Sequence, residues 1–421
     1  STTENILKLI ETASPQSWGN KARELAVDAF SKQGIPNRKS EEYKYVNMEQ
    51  ALKSALSLSS FIKLSKKQIS DVQFLKSAIV IVIENGVYSS EHSQTDSLPK
   101  GIIIKNISEA VAEEIFQNHY AKYADVNSDP FIALNTALAS GGVFIHVVKN
   151  AVIETPIHLI QISSASENTL VNARNLIVVE ENAHVKIVES NFVVDSERTF
   201  NNSLTEIVVA ANANVEYDKI QDEQNNGYSV NTLQAIQKKQ SVFSINTFTL
   251  SGSLVRNNWN IVLDDEHIET HLNGLYLTKD NQVVDNHTLV DHRKPNCNSN
   301  ELYKGIIEDK SSATFNGKIY VRKDAQKTNA FQSNKNILLS DDGTINTKPQ
   351  LEIYADDVKC SHGTSTGKLD EDKIFYLRAR GLSEASAKKL LMHAFASEVV
   401  DCIKIVELRD YIEKEITKRF E

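Results

Sequence analysis

A mainly β chain, built as a solenoid of stacked coils between helical ends, is the fold class this sequence predicts. Three observations lead there. From Gly141 to about residue 383 no long helical pattern occurs, and short β-type runs alternate with Asn, Asp, Gly and Ser. Within that stretch a loose motif recurs after apolar runs. Asn150-Ala151-Val152, Asn182-Ala183-His184-Val185, Asn212-Ala213-Asn214-Val215 and Gln240-Ser241-Val242-Phe243 follow one another at steps of 32, 30 and 28 residues. Both ends of the chain instead carry apolar residues at helical spacing. Coils that cannot bury their own apolar face gain a continuous core by stacking. A large β-sandwich accounts for alternating strands and turns equally well. A step of about 30 residues suits one wide coil or two small ones.

The elements follow in order. Ile6, Leu7, Leu9 and Ile10 start an amphipathic helix, Pro15 and Gly19 interrupt it, and Ala22, Leu25, Ala26, Ala29 and Phe30 resume the pattern. Gly34-Ile35-Pro36 ends that second helix, because Gly suits a C-cap and Pro cannot continue. Ser40 to Tyr45 leads into a strand or loop. Ala78 to Ile83 and Gly101 to Ile104 read as strands, 107–120 as a helix, and Asp129-Pro130-Phe131 opens another. Residues 1–140 are thus expected to form a mixed α/β, largely helical domain, 141–364 the β core, and 365–421 a C-terminal helical domain. In the last, Ser383 is the expected N-cap of a stripe running through Ala387, Leu390, Leu391, Ala394, Phe395, Val399, Cys402, Ile403 and Val406, extended by Leu408, Tyr411, Ile412 and Ile416. Such a tail suits either a cap on the open end of a solenoid or an apolar stripe for another protein.

Composition excludes several classes. The net charge of -9 speaks against a broad phosphate-binding surface, so no nucleic-acid partner is expected. No run of 18 or more apolar residues occurs, so no membrane span is expected. Ser1-Thr2-Thr3-Glu4-Asn5 has neither a basic nor an apolar leader character, and a cytoplasmic location is expected. The three cysteines, Cys297, Cys360 and Cys402, are odd in number and far apart, which suits a reducing compartment better than a disulfide framework. No C-x-x-C, P-loop, dinucleotide fingerprint or H-E-x-x-H occurs, so ATP hydrolysis by this chain itself is not expected.

The sharpest candidate chemistry is Cys360-Ser361-His362. Residues i and i+2 of a strand share a face, so a thiol and an imidazole can point together at a metal or a partner. Two donors fall short of a complete metal site, and a buried Cys beside a hydrogen-bonded turn His explains the pair just as simply. His287, His292 and Cys297 could form a three-ligand set, but their even five-residue steps match no helix face, and satisfied polar groups at solenoid turns explain them better. His267 and His271 read as surface residues. Gln326 to Asn336 alternates amides and hydroxyls, best explained as a ladder of side-chain hydrogen bonds along stacked turns. Cys402 reads as core on the last helix.

Four blocks together resemble the SufB/SufD family of the iron–sulfur cluster assembly system. The most specific contains Asn316-Gly317-Lys318-Ile319-Tyr320-Val321, Gln326, Thr328, Gln332, Asn334, Asn336, Pro349, Ala355-Asp356-Asp357-Val358, Cys360-Ser361-His362-Gly363 and Phe375-Tyr376-Leu377-Arg378-Ala379-Arg380-Gly381. Gly34-Ile35-Pro36 with Glu41-Glu42-Tyr43-Lys44-Tyr45 is a second, with Tyr43 where the family often has Trp. Phe131-Ala133-Leu134-Asn135-Thr136-Ala137 and Asp285-His292-Pro295-Ser299 are the others. The Cys-Ser-His-Gly form, the length and the few cysteines look like the SufD branch rather than SufB. The resemblance implies a right-handed parallel β-helix between an N-terminal and a C-terminal helical domain. It implies a non-catalytic scaffold that pairs with SufB through the C-terminal strands of the β-helix and with the ATPase SufC through residues from about 365 to 421. His362 would face a SufB cysteine, with Cys360 beside it as the weaker ligand. A nascent iron–sulfur cluster or iron would be held transiently and shared with SufB, with none bound tightly to this chain alone. A homodimer is expected when partners are absent. Other classes that fit a solenoid are a carbohydrate-acting β-helix enzyme and a purely structural β-helix.

Overall fold

The computed structural model describes residues 1–13, 19–53, 56–58 and 60–420, so Pro15 lies outside the described residues. The chain opens with α1 (Thr2–Thr12), α2 (Asn20–Gln33), a 3-10 turn (Glu41–Tyr43), α3 (Met48–Ala51) and α4 (Lys66–Val72). Strands β1 (Ile79–Glu84), β2 (Val87–Tyr88) and β3 (Ile102–Asn106) follow, then α5 (Ile107–Ala110), α6 (Glu114–His119) and α7 (Pro130–Leu138). Next come β4 (Val143–Val147), β5 (Ile157–Ser163), β6 (Thr169–Val171), β7 (Arg174–Val179), β8 (His184–Val193), β9 (Thr199–Val209), β10 (Asn214–Asp222) and β11 (Gly227–Gln237). The run continues through β12 (Val242–Ser251), β13 (Leu254–Leu263), β14 (Glu269–Thr278), β15 (Val283–His292) and β16 (Asn298–Ile307). It ends in β17 (Ser312–Val321), β18 (Thr328–Leu338), β19 (Thr344–Ile353) and β20 (Val358–Gly367), before α8 (Glu371–Arg378), α9 (Glu384–Val400) and α10 (Val406–Arg419).

Alternate strands pair with one another. One sheet runs β2-β1-β5-β8-β10-β12-β14-β16-β18-β20 and the other β19-β17-β15-β13-β11-β9-β7-β4-β3, with β6 beside β9. From β4 and β5 onward the pairs are parallel and nearly free of slips; Tyr217, for example, lies between Ile187 and Ile245. Each turn of the chain therefore lays one strand in each sheet, which makes the 30-residue step one wide coil and the architecture a parallel β-solenoid. A sandwich would instead pair neighbouring strands antiparallel.

The recurring Asn motif marks the corner of each coil. Asn150, Asn182, Asn212, Gln240, His267, Asn296 and Lys327 all have left-handed φ between 57° and 64°, a conformation Asn tolerates better than most side chains. Most corners donate to the next, as Asn182 N does to the Ala211 carbonyl at 3.0 Å and Asn212 N to that of Lys239 at 2.9 Å. The Ala after Asn182 and Asn212 is fully buried, so the corner also seeds the interior. That interior is lined by inward residues such as Ile187, Val215, Phe243, Leu272 and Tyr303.

Two regions pack on the outside of the solenoid. Strands β1 and β3, within the first 140 residues, do not form a layer of their own but join the two sheets, β1 parallel to β5 and β3 antiparallel to β4. The helices around them bury Ile6, Phe30, Met48 and Phe131 against Leu170, Phe200, Val230 and Leu254. Leu25, expected on the apolar face of α2, is exposed instead. Polar clamps fix this contact. Asn135 on α7 donates to the carbonyls of Ala173 and Asn202, at 2.9 and 2.7 Å. Glu206, fully buried, accepts from the backbone N–H groups of Ala121, Tyr123 and Ala124 and from Arg174. Arg256 pairs with Asp285 at 2.5 Å, donates to the Glu42 carbonyl at 2.7 Å and lies 3.8 Å from the Tyr43 ring. His287 bridges Asp285 and Glu42, at 2.9 and 3.3 Å.

At the other end, α9 and α10 lie along the outer face of the sheet that ends in β20, where Met392, Ala396, Val399, Leu408 and Ile412 cover Val188, Ile220, Phe248, Leu275 and Ile306. The expected single stripe is broken between them at residues 401–405. Cys402 falls in that break, half-buried, its Sγ 3.5 Å from the Glu398 carbonyl, so it is not the helix-core residue expected. Because the tail lies on the flank, it does not cap the end of the solenoid. Strands β19 and β20 are both edges, and Lys359 and residues 361–367 are exposed.

Near that end two glycines make room for aromatic rings. A Cβ at Gly274 would collide with the Tyr303 ring, and one at Gly305 with the Tyr276 ring. Gly305→Ala should therefore destabilise the chain by about 1–3 kcal/mol through overpacking, read as a lower urea midpoint at unchanged slope.

A second expectation concerns pH. Burial and Arg256 work against a charged His287, but Asp285 and Glu42 outweigh them and its pKa is raised above the ordinary 6.5. A raised pKa contributes stability that is complete below about 6.5 and is lost as pH rises through the folded-state value. The urea stability gap between the natural chain and His287→Gln should shrink across that window, and a pH-independent gap would remove His287 as its source.

Candidate functional site at the open end of the solenoid

The site is built from the last coil inward. Gln326 Oε1 accepts from the backbone N–H groups of Asp356 and Asp357, at 3.2 and 2.9 Å, and so fixes the turn that delivers the chain into β20. The strand then pairs with β18, placing Cys360 beside Ala330 and His362 beside Gln332. On β18 the residues Ala330, Gln332, Asn334 and Asn336 are buried while Phe331 is exposed. Strand alternation therefore puts Cys360, His362, Thr364 and Thr366 on the inward face. Beyond β20 no further coil follows, so inward does not mean buried here.

Cys360 and His362 share that face but not an environment. Cys360 packs against Val321, Ala325, Ala330 and Ala355 and is half-buried. Burial pushes its thiol pKa up, partly offset by a hydrogen bond with the Ala330 backbone. His362 is exposed, and no described residue forms a hydrogen bond or ion pair with its imidazole. Behind it runs an inward column, Glu301 on β16, Gln332 on β18 and His362 on β20, in register. Gln332 Nε2 donates to Glu301 Oε2 at 2.7 Å. Gln332 Oε1 is buried with no partner, a cost of about 1–3 kcal/mol for a group so left. Burial raises the Glu301 carboxyl to about 7.

Thiolate and imidazole are donors that iron and sulfur chemistry accepts. Among the described residues, no group of three or more His, Cys, Asp or Glu side chains could hold a metal ion. A metal on His362 and Cys360 therefore needs ligands from outside this chain's described residues.

The other candidates disperse. His287 faces outward to Glu42 and Asp285, whereas His292 is buried inward and hydrogen-bonded to Ser299 Oγ at 2.9 Å, its pKa pushed down to about 4 by burial. Cys297 is buried, donates to the Asp265 carbonyl at 3.1 Å, and has its thiol pushed up to about 11. A five-residue step along one strand puts His287 and His292 on opposite faces, which is why the set cannot converge. His267 takes a corner position and His271 pairs with Glu269 at 2.7 Å, as expected of surface residues. The Gln326–Asn336 run is a hydrogen-bond ladder, with Asn329 on Asn298, Asn334 on the Tyr276 hydroxyl and Asn336 on Asn334. The sequence reading passed over Glu301 as a partner of the site. The coil step was the available signal, since Glu301, Gln332 and His362 are 31 and 30 residues apart.

A parallel β-solenoid with clamped N-terminal helices, helices on one flank and an uncovered last coil is the class these features define. Two family models match it in tandem, the SufBD protein N-terminal region over residues 4–159 and the SufBD core domain of SUF system FeS cluster assembly over 161–395. A SufBD family iron–sulfur cluster assembly protein of Synechocystis is 32% identical over 92% of this chain and 88% of its own length. The iron–sulfur cluster assembly protein SufD of Escherichia coli is 30% identical over 92% and 89%, and the chloroplastic ABCI7 protein of Arabidopsis 27% over 92% and 83%. The chain belongs to the SufBD family of iron–sulfur cluster assembly proteins.

The thiols of Cys297 and Cys360 should differ in reactivity. At pH 7.5, iodoacetamide followed by peptide mass mapping should leave Cys297 unmodified, while Cys360 reacts more slowly than a free thiol and speeds up as pH rises, because only the thiolate attacks. Equal rates for Cys297 and Cys360 would contradict this ordering.

Proposed function

We propose that this chain is a non-catalytic scaffold subunit that pairs end to end with a SufB-type protein, and that His362 supplies one ligand to a cluster assembled at their junction. The observation that carries this reading is the uncovered β20. It offers a full strand edge of unpaired backbone groups together with an exposed imidazole and a half-buried thiol. Such an edge is a template for another chain's strand. A partner coil stacked there would continue both sheets and bring its own donors to His362, with Cys360 as the weaker neighbour. The nascent cluster, or iron, is cargo in this scheme, held by ligands of both chains. Without a partner the same edge favours a homodimer.

The C-terminal helices fit a second contact, with a SufC-type ATPase. Phe375 and Tyr376 on α8 are 74% and 56% exposed, an aromatic pair of the kind that anchors protein interfaces. A carbohydrate-cleaving role has less support. It needs two free carboxylates, whereas Asp285 is held by Arg256, and Asp291 by Arg293 and Arg322.

The test uses the reconstituted complex with SufB-type and SufC-type partners. His362→Ala should leave assembly intact by size-exclusion chromatography and slow cluster formation at least about tenfold, the scale of losses at metal-site residues. Cluster formation at the natural rate in an intact complex would remove His362 from the site.

A further inference from the structure

We infer that Gln332, anchored by Glu301, is a positioning residue that holds the His362 imidazole in one tautomer and one orientation. The inference rests on the reading that His362 is a ligand. Three features of the last coils carry it. First, the amide orientation of Gln332 is set by its neighbour. Glu301 Oε2 accepts from Gln332 Nε2 at 2.7 Å, so the other arm of the amide, Oε1, is an acceptor. Second, that oxygen is buried and has no donor, and a buried acceptor left unpaired is a costly feature to retain. Third, the amide is confined from the opposite sheet. A Cβ at Gly317 would collide with Gln332 Nε2, so the absent side chain of Gly317 is the space the amide fills.

His362 is the in-register neighbour of Gln332 on the same inward face. Adjacent strands are about 4.8 Å apart, so a ring N–H of His362 reaches Gln332 Oε1 by rotation about its own side-chain bonds. Nothing else holds the imidazole among the described residues. With one nitrogen donating to Gln332, the proton is fixed there and the lone pair of the other nitrogen points away from the column, toward the open end. A histidine that binds metal is regularly oriented in this way, by a carbonyl or carboxylate on its second nitrogen. Glu301 acts at one remove. It keeps the Gln332 amide from turning its NH2 group toward the ring, where two donors would face each other.

The test needs neither iron nor a partner. In the full-length chain with 15N-labelled histidine, long-range 1H–15N spectra give the tautomer ratio of His362, assigned by the signal lost in His362→Ala. The ratio should change on the order of threefold or more in Gln332→Met, a change that a single net hydrogen bond supports. The double exchange Glu301→Gln with Gln332→Glu restores a donor and an acceptor in swapped order and should restore the natural ratio. An unchanged ratio in Gln332→Met, or a changed ratio that the swapped pair does not restore, overturns the assignment. If Gln332→Met does not fold, Glu301→Gln alone keeps the volume, frees the amide and should move the ratio; an unmoved ratio again overturns it. Because the readout is the imidazole itself, a shifted tautomer with unimpaired clusters in His362→Ala rejects the ligand role and keeps the positioning. An unshifted tautomer with impaired clusters does the reverse.

Discussion

The structure depends on one constraint, that each coil is completed only by the coil after it. Backbone groups of a solenoid strand point along the stacking axis, so every strand satisfies one neighbour and needs another. The corners repeat the rule, with Asn150, Asn182 and Asn212 each donating to the corner one coil further on. Such an arrangement propagates without limit and contains nothing that stops it. The two ends of this chain answer that problem differently. At the start, β2 pairs antiparallel with β1 and β3 with β4, and the N-terminal helices cover the flank. At the finish, the helices that would make a lid lie along the side, and the last coil is left to water. Pro349 in edge strand β19 withholds one backbone donor, a mild brake on unwanted pairing. β20 carries no Pro and a single charged residue, Lys359, so it is the less guarded of the two edges.

Several clamps on the N-terminal region rest on buried ion pairs within the solenoid itself. Arg174–Glu206 and Arg256–Asp285 lie in places where both partners are almost wholly shielded from water. Buried pairs are weak sources of stability, since desolvation cancels most of their attraction. They do penalise misplacement, because any shift strands a charge. Glu206 illustrates this with three backbone donors and one guanidinium converging on its carboxylate. In this reading the clamps set where the helical region sits on the sheet, and the apolar contact of Phe30, Met48 and Phe131 supplies the attraction.

Much of this was legible in the sequence, and the physical reasons are particular. The coil step was visible because a left-handed corner restricts residue choice, so Asn recurs at Asn150, Asn182 and Asn212. Where the corner is His267 or Lys327, context overrides that preference and the signal fades. The membership of β1 and β3 in the solenoid sheets was hidden, because a buried apolar run such as Ile79 to Ile83 looks the same in any sheet. The break at residues 401–405 was hidden because Cys402 and Ile403 continue the 3-4 spacing through a turn. Several residues that carry the family resemblance prove to be joints of the fold. Asn135 ties α7 to β9 and to the residue leading into β7, Asp285 holds Arg256, and His292 closes a turn onto Ser299. Their pattern identifies the architecture and says nothing direct about chemistry.

Cys360 and His362 illustrate where that boundary falls. Spacing alone treats them as equals, two inward residues one pleat apart. The interior they face is not uniform. Cys360 sits over the small apolar corner of Ala325, Ala330 and Ala355, where a thiol is a suitable filler and burial disfavours the thiolate. His362 sits at the head of the Glu301–Gln332 column, where the interior is polar and one acceptor is left unpaired. A residue whose surroundings already account for it needs no further role. One that ends a column of buried polar groups, with its own ring nitrogens free, is incomplete without a partner. No coil of this chain follows β20 among the described residues, and of the pair the imidazole is the group left open to solvent.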